Sequence, residues 1–385
     1  MGAVLTLLQA CAQKQEVRIV QKKAAPSPPV KTEIIITAVG DVMMPVSIQS
    51  SVARNNGNYD ILFEKIAEDL GAADITFANL ETPVDEKAAS SGYPKFNAPQ
   101  GLLKALKKAG VDIISVANNH AMDAGSGGLK RTLDNIDATG LLFVGAGRTK
   151  AEATEIKYVK AQNVNVAFLA YTYGVNQRLP RKAAAAPGVN VLCSESKRDL
   201  ADAVVAVRRA KESADLVVVS IHWGEEYTVV PSSWQRKAAS ALVEAGADII
   251  LGHHPHVLQS IESHVAGDGR VGLIVFSLGN FVSSQSAGIT YGNRNNRKAL
   301  RGDGIILSIA AVKEGEKVRL DRAEFLPIWT LRDQTGKATV YQPVSMAREM
   351  KKIDAVANRT KTQENIRKLL AYRMEVVQKA LVPRE

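Results

Sequence analysis

The chain has 385 residues, 46% hydrophobic and 23% charged, ordinary globular proportions that argue against a disordered chain or a polytopic membrane protein. Lys and Arg outnumber Asp and Glu by 49 to 39, a formal net charge of +10 that favours polyanions or anionic surfaces. Neither finger spacing nor an aromatic RNA platform accompanies it, so nucleic acid is not the expected partner.

The first residues, MGAVLTLLQAC, are apolar and close on Leu8-Gln9-Ala10-Cys11, which resembles the lipobox of bacterial lipoproteins. The expectation is a signal over residues 1–11, a lipid on Cys11, and a place in the cell envelope outside the cytoplasm. Only Cys193 accompanies Cys11, so no disulfide framework is expected. Residues 12–32 are polar and then Pro-rich, a composition that reads as a semi-rigid tether.

A folded region is predicted over 33–330. It opens with EIIITAVGD, a strand over residues 34–39 ended by Gly40 and Asp41. A pattern then recurs four times, in AADITFANLE, GVDIISVANN, SADLVVVSIH and GADIILGHH. Small residues precede an Asp, a mostly apolar run follows, and a potential ligand closes the run. Counted from Asp74, Asp112, Asp215 and Asp248, the ligands Glu81, Asn119, His222 and His254 lie 7, 7, 7 and 6 residues on. If each Asp marks a strand start, a rise of about 3.3 Å per residue brings all four to the same carboxyl edge of a sheet. Helix-to-strand units of this kind predict an α/β fold, with its site at that edge. LIVFSLGNF ends comparably at Asn280.

Two segments break the pattern. Residues 174–190 read as a surface loop, and residues 283–303, rich in Gly, Asn and Arg, as a mobile substrate loop or an ordinary surface excursion. Beyond them, residues 304–326 read as two strands joined by a turn at Glu314-Gly315-Glu316. The remainder, 331–385, is predicted as a helical, basic extension, with ten basic and five acidic residues from Ser345 on. That balance fits a solvated helix face or an anionic-surface contact.

Five of the six histidines, His120, His222, His253, His254 and His256, fall in three clusters at predicted strand ends. With Asp41, Glu81 and Asn119 they form a mixed imidazole, carboxylate and amide set, which suits Zn, Mn or Fe better than Mg or Ca. Pro255 stiffens the loop between His254 and His256, so both rings can face one centre.

The order Asp41, Glu81, Asn119-His120, His222 and His254-Pro255-His256 resembles the calcineurin-like metallophosphoesterases. More closely, GDVMMP, FANLETPV, SVANNHAMDAG, IHWGEEY, AGADIILGHHPHVLQSIE and FSLGNFV look like the CapA-type poly-γ-glutamate capsule biosynthesis proteins. The resemblance implies a metallophosphoesterase-like layered fold, with central sheets flanked by helices. It implies one or two divalent ions: Asp41 on one, Glu81 at the bridging position, Asn119, His222 and His254 on the other, and His256 turning back to the first. His120 would be the general acid. Met43 stands where the phosphoesterase pattern has His, and the bridging residue is Glu rather than Asp, so the first ion lacks a donor. The implied role is capsule biosynthesis or export, with metal-dependent hydrolysis of an anionic polymer or phosphoester. The alternatives are a polymer-binding assembly factor without turnover and a soluble phosphatase. Poly-γ-glutamate and a membrane-bound synthase or export complex are the implied partners.

Overall fold

Each Asp of the recurrent pattern stands one residue before a strand in the computed structural model, which describes residues 31–177, 186–334 and 338–383. β1 (Lys31–Val42), β2 (Ile75–Leu80), β3 (Ile113–Ser115) and β4 (Leu142–Val144) pair in parallel, with α1 (Val46–Arg54), α2 (Gly101–Lys108) and α3 (Gly125–Ala138) in the crossovers. A second sheet opens with β5 (Lys157–Ala161) and β6 (Val164–Thr172). It continues after α4 (Lys197–Ser213) with β7 (Leu216–His222) and after α5 (Ser233–Ala245) with β8 (Ile249–His253). β9 (Ile261–Val265) and β10 (Val271–Val275) complete it. The chain then returns to the first sheet through β11 (Asn280–Val282), β12 (Asp303–Glu314), β13 (Lys317–Asp333) and β14 (Val340–Ser345), and ends in α6 (Met346–Asp354) and α7 (Lys361–Ala380). The strand orders are β14-β13-β12-β1-β2-β3-β4, with β11 also on β1, and β9-β10-β8-β7-β6-β5.

Period-2 alternation sorts the strands into layers. Val166, Phe168, Val218, Ile249 and Leu251 of the second sheet join Ile36 and Phe77 of the first in one buried cluster, where the Phe77 and Phe168 rings stack at 6.1 Å. The alternate residues Ala167, Leu169, Val217, Val219 and Ile250 pack instead with Val207 of α4 and Leu242 of α5. Leu102 and Leu106 of α2 and Leu129 and Leu133 of α3 belong to the first cluster. This is the layered α/β arrangement anticipated, two central sheets flanked by helices.

The four Asp residues have a structural task at the amino edge. Their Oδ2 atoms accept backbone N–H bonds from the neighbouring strand: Asp74 from Ile35 (2.8 Å), Asp112 from Thr76 (3.0 Å), Asp215 from Asn165 (2.7 Å) and Asp248 from Val217 (2.8 Å). Each Asp also donates its own N–H to the carbonyl of that same partner, at 2.8 to 3.0 Å. Two bonds to one residue fix the register of each parallel pair before the ladder begins.

Several boundaries differ from expectation. β1 takes in Lys31 and Thr32, so these belong to the sheet rather than to the tether, and it runs on through Gly40 and Asp41 to Val42. The reason is a change of partner. Lys31 to Ala38 pair with β12, whereas Asp41 and Val42 pair with β11. Gly40 permits the exchange, because a Cβ there would lie 1.9 Å from the carbonyl oxygen of Gly279. The hairpin turns at Gly315 (φ 61°) as expected, with longer arms. The stretch after residue 331 is not wholly helical: it finishes β13 and adds β14 to the sheet. Nor is α7 merely a solvated face, since it buries Leu369, Leu370 and Val377 in the first cluster and its Arg373 Nε donates to Asp303 Oδ1 at 3.0 Å.

Of the expected surface loop, residues 178–185 lie outside the described residues, while Gly188 and Val189 are buried and pair antiparallel with Gly147 and Ala146. The expected substrate loop holds two short 3-10 turns, Tyr291–Asn293 and Arg297–Gly302. Cys11, the signal and residues 12–30 of the tether also lie outside the described residues. Among the described residues no helix is long and apolar enough to cross a membrane.

Candidate metal centre

The parallel strands deliver all seven candidate residues to one carboxyl edge. Asp41 is the penultimate residue of β1, Glu81 follows β2, Asn119 and His120 lie on the turn after β3, His222 ends β7, and His254 and His256 lie on the loop after β8. His222 Nε2 is 3.0 Å from Asn119 Oδ1 and 3.5 Å from Glu81 Oε1. His256 spans the other half, with Nδ1 3.1 Å from Asp41 Oδ2 and Nε2 3.7 Å from Glu81 Oε1. The His254 ring packs 4.7 Å from that of His222 and 5.9 Å from that of His256. His254 (φ 93°) and His256 (φ 54°) both adopt the left-handed region, the local strain by which the Pro255 loop turns two rings inward.

Burial and neighbouring charges together set the protonation of this pocket. Burial pushes His222 well below its usual pKa and His254 down to about 3, so both rings are neutral and keep a lone pair for a ligand. Burial also holds the Glu81 carboxyl well above the ordinary range. For Asp41 burial acts upward, but the close His253 and His256 imidazoles keep it well below. His256 is the counterpart: burial disfavours its charge, yet Glu81 and Asp41 raise it to about 9.

The residues fit a divalent cation. Both Glu81 oxygens and His254 Nδ1 are buried without a hydrogen-bond partner, which is costly for polar groups unless a ligand satisfies them. Ligand atoms of Glu81, His222 and His254 lie within 4.8 Å of one another, and so do those of Asp41, Glu81 and His256. Glu81 is common to both groups. Met43, by contrast, is buried with its Sδ turned to Gln285 Nε2 at 4.0 Å.

His120 stands beside this set. Its Nδ1 is 2.6 Å from Asp123 Oδ2, and its ring meets Phe96 edge-on at 4.7 Å. Asp123 fixes the ring and leaves Nε2 as the nitrogen that can exchange a proton.

Four more residues take part, and two of them, Asn79 and Glu226, are not evident in the sequence pattern. Asn79, inside the apolar run of β2, donates to Asp41 Oδ1 at 2.8 Å and lies 3.3 Å from His222 Nδ1; its place on the same strand face as Phe77 is the only clue. Glu226 makes a third possible ligand group with His254 and His256, and only the double acid of WGEEY hints at it. His253 is buried with its Nδ1 3.3 Å from Asp41 Oδ1. Asn280 Oδ1 contacts His256 Nδ1 at 3.1 Å, from the position where LIVFSLGNF ends.

Residues 35–285 match the family described as bacterial capsule synthesis protein PGA_cap. The chain belongs to this family. All seven candidate residues lie within the matched span. It is 34% identical over 284 residues to the capsule biosynthesis protein CapA of Bacillus anthracis, covering 70% of this chain and 66% of that one. To the PGA biosynthesis protein CapA of Bacillus subtilis it is 35% identical over 269 residues, covering 68% and 67%. The match thus spans about two thirds of the length of these curated relatives. The solved calcineurin-like phosphoesterase YfkN of Bacillus subtilis overlaps 91% of this chain and all of that one, at 15% identity and a TM-score of 0.44.

Proposed function

We propose that the chain serves the biosynthesis or export of a poly-γ-glutamate capsule, and that its carboxyl-edge centre is a metal-dependent hydrolytic site for an anionic polymer or phosphoester. Family membership and the names of the relatives support the first half. The second half is carried by Glu81, a buried carboxylate with no hydrogen-bond partner that stands 3.5 Å from His222 and 3.7 Å from His256. One carboxylate shared by two donor groups suits one or two ions, and the mixed nitrogen and oxygen donors suit Mn, Zn or Fe.

A divalent cation bound there supplies Lewis acidity and lowers the pKa of water. Asp41, Glu81 and His256 would hold one position, and Asn119, His222, His254 and Glu81 the other. His120, its Nδ1 fixed by Asp123, holds a proton at Nε2 for the leaving group. With Met43 in place of His, the Asp41 position has one donor fewer, so generic phosphodiesters should turn over weakly.

Metal content and turnover test this reading together. Glu81→Gln should lose bound metal, whereas His120→Ala should keep it and lose about 100- to 10,000-fold in rate. Met43→His should tighten a second ion and raise phosphodiesterase activity. If neither the parent nor Met43→His hydrolyses phosphoesters or poly-γ-glutamate with Mn or Zn supplied, the centre is not hydrolytic. Met43 is the observation that favours the second reading, an assembly factor that binds the polymer without turnover.

The proposal includes a lipid on Cys11 that holds the protein at the cell envelope, beside a membrane-bound synthase or export complex. Cys11→Ser should release it from membranes; a parent protein that is already soluble and keeps Met1 would remove the anchor from the account.

A further inference from the structure

The segment from Ser283 to Gly302 contains Arg294, Arg297, Lys298 and Arg301 and no acidic residue. Arg301 is the one whose contacts lead to the metal centre. Its guanidinium carbon lies 3.5 Å from the centroid of the Tyr227 ring, and that ring lies 6.2 Å from the ring of His256. Tyr227 is itself held in the left-handed region (φ 64°), with its N–H donating to Pro255 O at 2.7 Å, inside the loop that presents His254 and His256. The main chain of Arg301 is tied to the same loop: its carbonyl accepts from Asn280 Nδ2 at 2.8 Å, and Asn280 Oδ1 contacts His256 Nδ1. Two routes, one through a ring and one through an amide, therefore set where this cation stands relative to His256.

Bracing on an aromatic face orients a guanidinium without using its donors. Among the described residues no carboxylate lies within ion-pair distance of Arg301, and its buried Nε has no hydrogen-bond partner. The contrast with Arg373 is direct. That side chain also lies over an aromatic ring, but its donors are taken by Asp303. A guanidinium positioned so closely and left without an acceptor offers a forked pair of donors to an oxyanion from outside.

We propose that Arg301, braced on Tyr227, is the anion-recognition subsite of this centre, taking a carboxylate or phosphate oxygen of the substrate next to the group presented to the metal. The idea rests on the proposed function for the polymer it names, but not for the anion chemistry. It explains how a polyglutamate would be read: one carboxylate on the guanidinium sets the register of the bond beyond it.

The test uses metal-loaded full-length protein, with Arg301→Met, which keeps bulk on Tyr227, and Arg301→Lys, which keeps charge without the fork. Calorimetric titration with a poly-γ-glutamate oligomer and, separately, with inorganic phosphate should show binding weakened roughly tenfold or more in Arg301→Met. Arg301→Lys should recover part of the loss, and metal content should match the parent in both. Parental affinity in Arg301→Met, or a parent that binds neither probe, overturns the subsite. So does a loss of metal in both variants, which would make Arg301 a support for His256. Phosphate binding that depends on Arg301 without polymer binding upholds the subsite and removes the polymer from the proposed function.

Discussion

Asn79 shows how much of the centre is built beneath its ligands. Its amide donates to Asp41 and faces His222, so it ties one member of each donor group to the other. Partners of metal ligands typically tune affinity about 10- to 100-fold, and Asn79→Leu should weaken metal binding by that order while leaving the far-ultraviolet circular dichroism unchanged. Competition with a chelator of known affinity measures it; parental affinity would mean the amide is only a packing element. The convergence of the candidate ligands was legible, because His, Glu and Asn at fixed offsets from a strand start have few reasons to recur. Asn79 was not, because one amide in an apolar run gives no sign of what lies across the pocket. Glu226 was hidden for another reason: the approach of its loop to His254 and His256 depends on positive φ at Tyr227 and His256, a local conformation that no periodicity encodes.

At the level of elements, the recurrent Asp was read as a marker and proves to be a cause. Asp248 is buried, accepts from Val217 N at 2.8 Å and pairs with Lys211 at 2.9 Å. Asp248→Ala leaves that N–H unsatisfied and should cost about 1 to 3 kcal/mol, read from the urea midpoint, with metal content unchanged because the substitution lies at the opposite edge. β1 makes the converse case. Where it passes from β12 to β11, Gly40 admits the Gly279 carbonyl, and an Ala side chain must displace it. Asn280, the next residue, contacts His256, so Gly40→Ala should lower stability and metal binding together; a loss of stability alone would separate this crossing from the centre. The partner exchange was invisible in the sequence, where Gly40 and Asp41 looked like an ordinary strand end.

Across the whole molecule, the C-terminal region was the least legible. Its helical periodicity was real, but β14 and the burial of α7 depend on a sheet assembled from residues far away in the chain. Arg373 of α7 meets Asp303 at the start of β12, both with side chains 3% exposed. Removing one member of such a pair typically costs about 3 to 5 kcal/mol, so Arg373→Met should lower the thermal midpoint markedly, whereas the surface variant Lys351→Met should not. Burial, against the pull of Arg373, raises the Asp303 carboxyl to about 6. The folded state therefore binds that proton more tightly than the unfolded chain does. The contribution of this group to stability is complete below the unfolded carboxylate range of roughly pH 4 and falls as pH rises towards about 6. Urea midpoints measured from about pH 4 to 7 should carry this slope, and Asp303→Asn should remove it.

The Asp clamps divide the labour between the two ends of the strands. Register is secured at the amino edge by carboxylates bonded to neighbouring strands, while the opposite rim carries the candidate metal ligands. Such a scaffold is permissive toward change at that rim. Met43 sits buried at this rim just past β1, whose pairing is settled at Asp74 and along β12. For a protein engineer, the rim positions are sockets: ligands can be exchanged there one at a time, and each exchange can be scored as chemistry rather than as folding.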